Sequence, residues 1–430
     1  MDNIFELFFS ELNHSRICYA IVGRTEEYPL NIDSDIDIII QKNQFSDFWI
    51  FIKSLEKKGL TLIQVLAHET TARYCILMLS NGTKHQMLIP DVCSDYYRHG
   101  SFFLSASFLL QNRILDAKGF YILYPDKEFI YYLIKKIDKG FINDVQFNHL
   151  LKQWKLDSSG CFSVLKEYFD SLSQTQIVNA FESEQLQVLD QHLHDLKISL
   201  HKHINYNTFD IVSRVSNRFK RILYPTGLVI AFMGPDGAGK TTVINQVKTD
   251  LGGAFRQIRQ FHLFPKDSDH SVPVSNPHDQ KPRGTFGSIA KLCYFVGLYL
   301  LGFITKIFPL KLRSTFVVFD LYFQDIYADP LRYRYASGIL WLKIAGLFIP
   351  KPDMWIFLEA PAEVIQNRKS EVSRDETERQ LLAYRNLCSS LKNAYLINAD
   401  QAPEKVVYDT EKAIIDHMKE RIKSVTKIIN

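Results

Sequence analysis

Leu228-Val-Ile-Ala-Phe-Met-Gly-Pro-Asp-Gly-Ala-Gly-Lys-Thr-Thr-Val-Ile-Asn-Gln-Val247 decides how the carboxy-terminal half of this 430-residue chain is read. Six apolar residues, Leu228 to Met233, have the length and character of a buried strand. Gly234 to Thr241 then fits the pattern GxxxxGK[ST], and a helix rich in Val, Ile and Leu follows. Glycines at these positions let successive amide groups turn inward on a phosphate at the positive end of the next helix. Lys240 adds a point charge for the outer phosphates, and the Thr241 hydroxyl is placed to ligate Mg²⁺. The plainer alternative is a glycine-rich turn that holds no nucleotide.

Working outward, Phe316-Val-Val-Phe-Asp320 reads as a second core strand that ends on a carboxylate. An Asp at the carboxyl end of a parallel strand beside a phosphate loop is placed to orient the metal or its waters, although an Asp capping a loop looks the same in sequence. With Met354–Leu358 and Ala394–Asn398 also strand-like and helical stretches between them, residues 223–430 predict a P-loop NTPase-type parallel sheet flanked by helices. Residues 1–122 predict a small α/β domain. Helices are expected at Ile4–His14 and Phe45–Lys58, and strands at Cys18–Val22, Ile36–Ile40, Leu62–Ala67, Arg73–Leu79 and Gln86–Ile89. Residues 123–222 are mostly helical in pattern and are expected to be a connector. Within them His192, His194, His201 and His203 lie close together, but helical spacing with no flanking carboxylate constellation favours packed or solvated histidines over a metal site.

Composition narrows the class. Hydrophobic residues make up 46% and charged residues 23%, which excludes a disordered or collagen-like chain. The net charge of +4 is too small to indicate a dedicated nucleic-acid binder, so no nucleic-acid partner is expected. It splits unevenly: residues 1–200 carry 19 basic and 25 acidic side chains, and residues 201–350 carry 19 and 9. The positive excess surrounds the phosphate loop. Six scattered cysteines with no CxxC pair, and an amino terminus with no secretory pattern, suggest a cytoplasmic protein. Leu292–Thr305 is a fourteen-residue uncharged run, short of the roughly 20 residues a span needs. A buried or interfacial helix is expected there, with peripheral membrane contact through residues 292–310 as the open alternative.

Gly234 to Thr242 resembles the phosphate loop of the thymidylate kinase family, which carries an Asp inside the loop before GxGKTT. Phe319-Asp-Leu-Tyr322 resembles that family's Asp-Arg-Tyr motif, and Pro352 to Leu358 its strand before the lid. Residues 205–425 are most similar to a thymidylate-kinase-like subgroup associated with bacterial surface-polysaccharide genes. They share Pro225-Thr-Gly227, Asp329-Pro-Leu-Arg-Tyr-Arg-Tyr335, Arg368-Lys-Ser-Glu-Val372, Glu378-Arg-Gln380 and Ala383-Tyr-Arg385.

The resemblance implies ATP and Mg²⁺ as cofactors, with Gly234, Gly237, Ala238, Gly239, Lys240, Thr241 and Thr242 on the nucleotide and Thr241 and Asp320 on the metal. Asp236, Lys240 and Asp320 are implied catalytic residues, with Arg368, Arg374 and Arg379 as lid arginines; each arginine alone reads equally as a solvated helix residue. The chain departs from the family at Leu321, where a phosphate-clamping Arg is expected, and at Phe261-His-Leu-Phe-Pro265, where Arg-Glu-Pro-Gly is expected. Arg332 or Arg334 is the expected replacement clamp. The implied activity is transfer of the ATP γ-phosphoryl to a nucleoside monophosphate or related small acceptor.

Ser34-Asp35-Ile-Asp37 puts two carboxylates on one face of a strand, a spacing that can hold Mg²⁺. With Gly23-Arg24 upstream it is similar to the polymerase-β-type nucleotidyltransferase pattern, Arg24 standing where Ser is usual and Asp91 being the best third carboxylate. Active nucleotidyl transfer, degenerate nucleotide binding and a structural acidic turn are all compatible with these residues. In the first reading the P-loop domain becomes a regulatory nucleotide switch.

Overall fold

A computed structural model describes residues 3–32, 35–69, 71–98, 101–202, 222–265, 283–369 and 372–429. Ser34, His203, Ser370 and Glu371, and the predicted connector over residues 203–221, lie outside them. The chain is α/β, with a mixed sheet and a parallel sheet flanked by helices and a small two-stranded antiparallel sheet, and forms two compact units: Met1–Ser80 with Gln86–Phe219, and Lys220–Asn430 with Asn81–His85.

In the first unit the sheet is built around strand Ile36–Ile40. It pairs antiparallel with Tyr19–Ile21 on one side and parallel with Pro90–Cys93 on the other. Side chains alternate across a strand, so Ile36, Ile38 and Ile40 enter one core with Phe5 and Phe8 of helix Ile4–His14 and Phe48 and Phe51 of helix Phe45–Ser54. Ile39 enters the opposite core with Phe129, Leu133 and Ile137 of helix Pro125–Lys139. Two covered faces explain why the strand reads as a near-continuous isoleucine run.

That second core corrects the expectation of a separate connector. Helices Pro125–Lys139, Asp144–Leu156, Ser158–Tyr168, Ser171–Glu182 and Leu186–Lys202 share one hydrophobic cluster with Ala20, Val22 and Ile39 of the sheet. They cover its second face. Of the clustered histidines, His201 pairs with buried Asp138 and His192 with Gln176.

The second unit holds a five-stranded sheet in the spatial order Gln257–His262, Thr315–Asp320, Leu228–Met233, Met354–Glu359, Ala394–Asn398, and every neighbouring pair is parallel. The sequence reading finds four of these strands. It misses Gln257–His262 because this edge strand is largely exposed and carries polar residues at four of its six positions. The central strands are buried on both faces, with Val229, Ala231 and Met233 in one cluster with Phe319 and Trp355.

The apolar run at 292–305 belongs to a longer helix than its composition suggests. Thr285–Gly302 continues through a π-helical turn, Phe303–Ile307, into Phe308–Leu312. Pro309 lies in the first turn after the π segment, where its missing amide hydrogen costs least. By length and composition alone this 28-residue helix could cross a membrane.

Helix Lys240–Leu251 packs against the long carboxy-terminal helix Pro403–Ile429, and there buried Glu411 meets Asp250. Burial, then a hydrogen bond to Asp250 and its negative charge, push the Glu411 carboxyl up to about 8. A raised carboxyl favours the fold while protonated, so its contribution is complete below the ordinary glutamate range and is lost as pH rises toward 8. Glu411→Gln is therefore expected to flatten the fall in stability between pH 5 and about 8 in denaturant titrations. An unchanged pH profile would refute the shared-proton arrangement.

Candidate functional site

The loop after Leu228–Met233 begins where the chain passes very close to its neighbour strand. Gly234 has φ +141°, and a Cβ there would lie 2.6 Å from the Leu358 carbonyl oxygen, closer than real Cβ atoms come to backbone. Gly239 has φ +88° and caps helix Lys240–Leu251 with no side-chain hydrogen bond, and a Cβ there would meet nothing within 4 Å. The first turn of that helix has no side-chain cap, and uncapped amides at a helix start are the arrangement that binds anions. Ala238 is buried, and Thr241 and Thr242 are exposed on the first turn.

Lys240 is buried, and its ammonium donates to the carbonyls of Gly234 at 2.7 Å and Pro235 at 2.9 Å and lies 3.5 Å from Asp236. The other Asp236 oxygen accepts from Arg332 Nη1 at 3.0 Å. Asp320 sits at the carboxyl end of the adjacent strand, in register with Phe232, and its Oδ1 is buried without a hydrogen-bond partner. That orphaned oxygen fits a metal or a metal-bound water. Burial works against ionisation of Asp320, but the nearby His262 and the charge of Lys240 more than offset it and hold the carboxyl below its ordinary range. His262 Nδ1 is 3.7 Å from Asp320 Oδ2.

His262 is a site residue that the sequence reading passes over. The available signal was its place at the end of a strand in register with Asp320, visible only once Gln257–His262 is recognised as a strand. Asp325 is another. It is fully buried and accepts hydrogen bonds from Tyr333 at 2.7 Å and Tyr384 at 2.5 Å, tying the segment that carries Arg332 to helix Arg374–Ser390. Asp329 accepts from the Arg332 amide at 3.1 Å and fixes the same segment.

Position 321, where the resemblance leads one to expect a clamping arginine, is closed to solvent, because Leu321 is buried and its amide donates to the Phe232 carbonyl. Of the two arginines expected to substitute, Arg332 reaches the loop, and with Asp236, Asp329 and Lys369 it lines a small cavity that Arg334 does not line.

The three arginines expected in a lid do not converge on this cavity. Arg368 donates both terminal nitrogens to the Ala399 carbonyl, Arg374 pairs with Glu378 on its own exposed helix, and Arg379 pairs with Glu376 and the Ala328 carbonyl. Their contacts here are local and structural.

In the first unit, Asp37 and Asp91 are direct register partners on parallel strands, and oxygens of Asp35, Asp37 and Asp91 all lie within 4.8 Å of one another. Among the described residues this is the only such group of potential metal ligands. Burial, then the charges of Asp37 and Asp35, push the Asp91 carboxyl up to about 7. Lys135 donates to Asp37 at 2.5 Å and balances part of the charge. The surplus of carboxylate suits a divalent cation.

Two cavities meet at these carboxylates. One of about 480 Å³ is lined by Gly23, Arg24, Tyr28 and His149, and one of about 420 Å³ by Arg98, Lys135, Lys136 and Lys139. His149 is buried, bonded to Glu128 through Nε2, and its Nδ1 has no partner. The amide of Gly23 donates to the same Glu128 oxygen at 2.9 Å, which joins the glycine loop to the helices.

No protein-family model matches the chain.

Asp325→Ala strands two buried tyrosine hydroxyls and is expected to cost about 2–4 kcal/mol in chemical denaturation. A loss below about 0.5 kcal/mol would show that the network does not anchor the Arg332 segment. Gly234→Ala forces a methyl against the Leu358 carbonyl and is expected to destabilise the second unit, whereas Gly239→Ala meets only its own backbone strain. Thermal melts that rank the two the other way would contradict the close-approach account.

Proposed function

We propose that this chain is an ATP-dependent, Mg²⁺-requiring phosphotransferase of the nucleoside monophosphate kinase type, acting on a nucleoside monophosphate or a related phosphate-bearing acceptor. The observation that supports it is the grouping of Lys240, the Asp236–Arg332 pair and Asp320 beyond the carboxyl ends of adjacent parallel strands. Ligands of open α/β sheets bind at that edge.

In this reading the uncapped amides at Gly239–Thr242 cradle the β-phosphate, and Lys240 exchanges its loop carbonyls for phosphate oxygens. Thr241 and Asp320 hold Mg²⁺, which when bound neutralises charge on the ATP phosphates. Arg332, held by Asp236 and Asp329, grips the acceptor's phosphate in place of the guanidinium absent at Leu321. An acceptor oxygen attacks the γ-phosphorus as the bond to the bridging β–γ oxygen breaks, and ADP leaves. Phosphoryl transfer depends mainly on positioning and charge stabilisation, and these residues supply both. Arg368, Arg374 and Arg379 serve as lid residues only by leaving their present local partners.

Lys240→Ala is expected to remove ATP turnover with an unchanged melting profile; turnover at the wild-type rate would sink the assignment. Arg332→Ala is expected to lower kcat/KM for the acceptor by about 10²–10³-fold while leaving ATP binding nearly intact. A change confined to ATP affinity would move Arg332 out of the acceptor site.

The register of Asp37 with Asp91 and the proximity of Asp35 favour a second, separate activity in the first unit, metal-dependent nucleotidyl transfer. Asp37→Asn is expected to weaken Mn²⁺ binding at least about tenfold by calorimetry. An unaltered titration leaves the three carboxylates a structural role.

A further inference from the structure

The long helix Thr285–Leu312 is only partly embedded, with 28% of its most apolar stretch buried. Leu292, Phe295, Tyr299 and Ile307 are buried in one cluster with Val317, Phe319 and Trp355 of the sheet, and the Tyr299 hydroxyl donates to the Leu263 carbonyl. Crossing a bilayer would strip this face from the sheet, so its apolar length is not that of a span. The opposite face carries Leu301 and Ile304 at 65% and 66% exposure. Helix Ile339–Phe348 packs beside it and exposes Leu340 at 64% and Leu347 at 82%, with Trp341 and Phe348 also exposed. Single exposed apolar residues are ordinary, but two adjacent helices that both expose large apolar side chains mark an interaction surface.

Charge identifies the occupant. Residues 283–313 contain five basic and no acidic side chains, and residues 331–352 contain four and none, of which Arg332 is paired with Asp236 and Lys311 with Asp353. Arg313, Lys343 and Lys351 are exposed. Two copies meeting through this face would bring like charges together, and an acidic-poor rim offers a second copy no counter-charge. A lipid surface with anionic headgroups supplies counter-charge and takes up aromatic and aliphatic side chains at the level of the headgroups. We propose that the paired helices Thr285–Leu312 and Ile339–Phe348 form a peripheral docking face for an anionic membrane. The second unit lies on the bilayer through this face without crossing it. The inference is independent of the phosphotransfer reading.

Vesicle co-sedimentation of the full chain tests it. The protein is expected to pellet with phosphatidylcholine–phosphatidylglycerol vesicles, to stay in solution with phosphatidylcholine alone, and to be released by salt. Leu301→Glu combined with Leu347→Glu is expected to reduce the bound fraction about tenfold, and Lys343→Glu with Lys351→Glu to weaken binding to anionic vesicles. Leu172→Glu, at an exposed position of the first unit, serves as the control and should leave binding unchanged. All these positions are exposed, so melting curves should match the wild type. Absence of pelleting, or pelleting insensitive to both double substitutions, overturns the proposal. A concentration-dependent dimer in light scattering that Leu301→Glu with Leu347→Glu abolishes, without vesicle binding, also overturns it and assigns the face to a second copy.

Discussion

The loop at Gly234 starts from a backbone-to-backbone approach that no side chain could survive, 2.6 Å from a Cβ position to the Leu358 carbonyl. That approach sets where the chain turns off the sheet, and the rest of the edge is placed from it. Five residues on, Gly239 opens helix Lys240–Leu251, whose first turn has no side-chain cap. On the neighbouring strand, Asp320 reaches the same level because its strand is in register with Phe232, and the Leu321 amide closes the junction on the Phe232 carbonyl. A parallel sheet thus delivers one cation, Lys240, and one unsatisfied carboxylate oxygen, on Asp320, to one edge.

A buried polar network supplies what the sheet does not. Leu321 is sealed inside, and in the proposed reaction the guanidinium comes from Arg332, on a segment that Asp325 steadies by holding Tyr333 and Tyr384. The segment between Asp329 and Tyr335 is then fixed on both sides, and Arg332 points at Asp236. A satisfied buried network of this kind specifies one arrangement, because each partner left unpaired carries a desolvation cost. The first unit uses register for a similar end. Pairing Asp37 with Asp91 across parallel strands concentrates like charge that Lys135 only partly balances.

Periodicity and motif spacing carried the doubly covered strands well, since six apolar residues followed by glycine have few other structures to adopt. The edge strand Gln257–His262 was not legible, because pairing on a single side leaves its polar side chains in water and its pattern resembles a loop. With it went His262 as a partner of Asp320. Asp91 could be chosen from sequence as a third carboxylate, but its register with Asp37 depends on a parallel pairing that no local pattern encodes. The region after residue 122 was legible as mostly helical, although Ser171–Glu182 was not picked out. The joint burial of these helices against Val22 and Ile39 was not legible, because tertiary packing leaves no periodic trace beyond each helix's own apolar stripe. The lid arginines show the converse limit: a motif names the residues, but in this conformation Arg368, Arg374 and Arg379 answer to nearby carbonyls and carboxylates.

The central claim is that the second unit moves the terminal phosphoryl group of ATP to a small acceptor. It is tested most directly by incubating the full chain with Mg²⁺ and ATP labelled at the γ position across a panel of nucleoside monophosphates and sugar phosphates, then identifying the labelled product. The account predicts label on the phosphate of one acceptor class, with ADP formed in equal amount. Label that appears only as inorganic phosphate throughout the panel, or transfer of α-label alone, would contradict it.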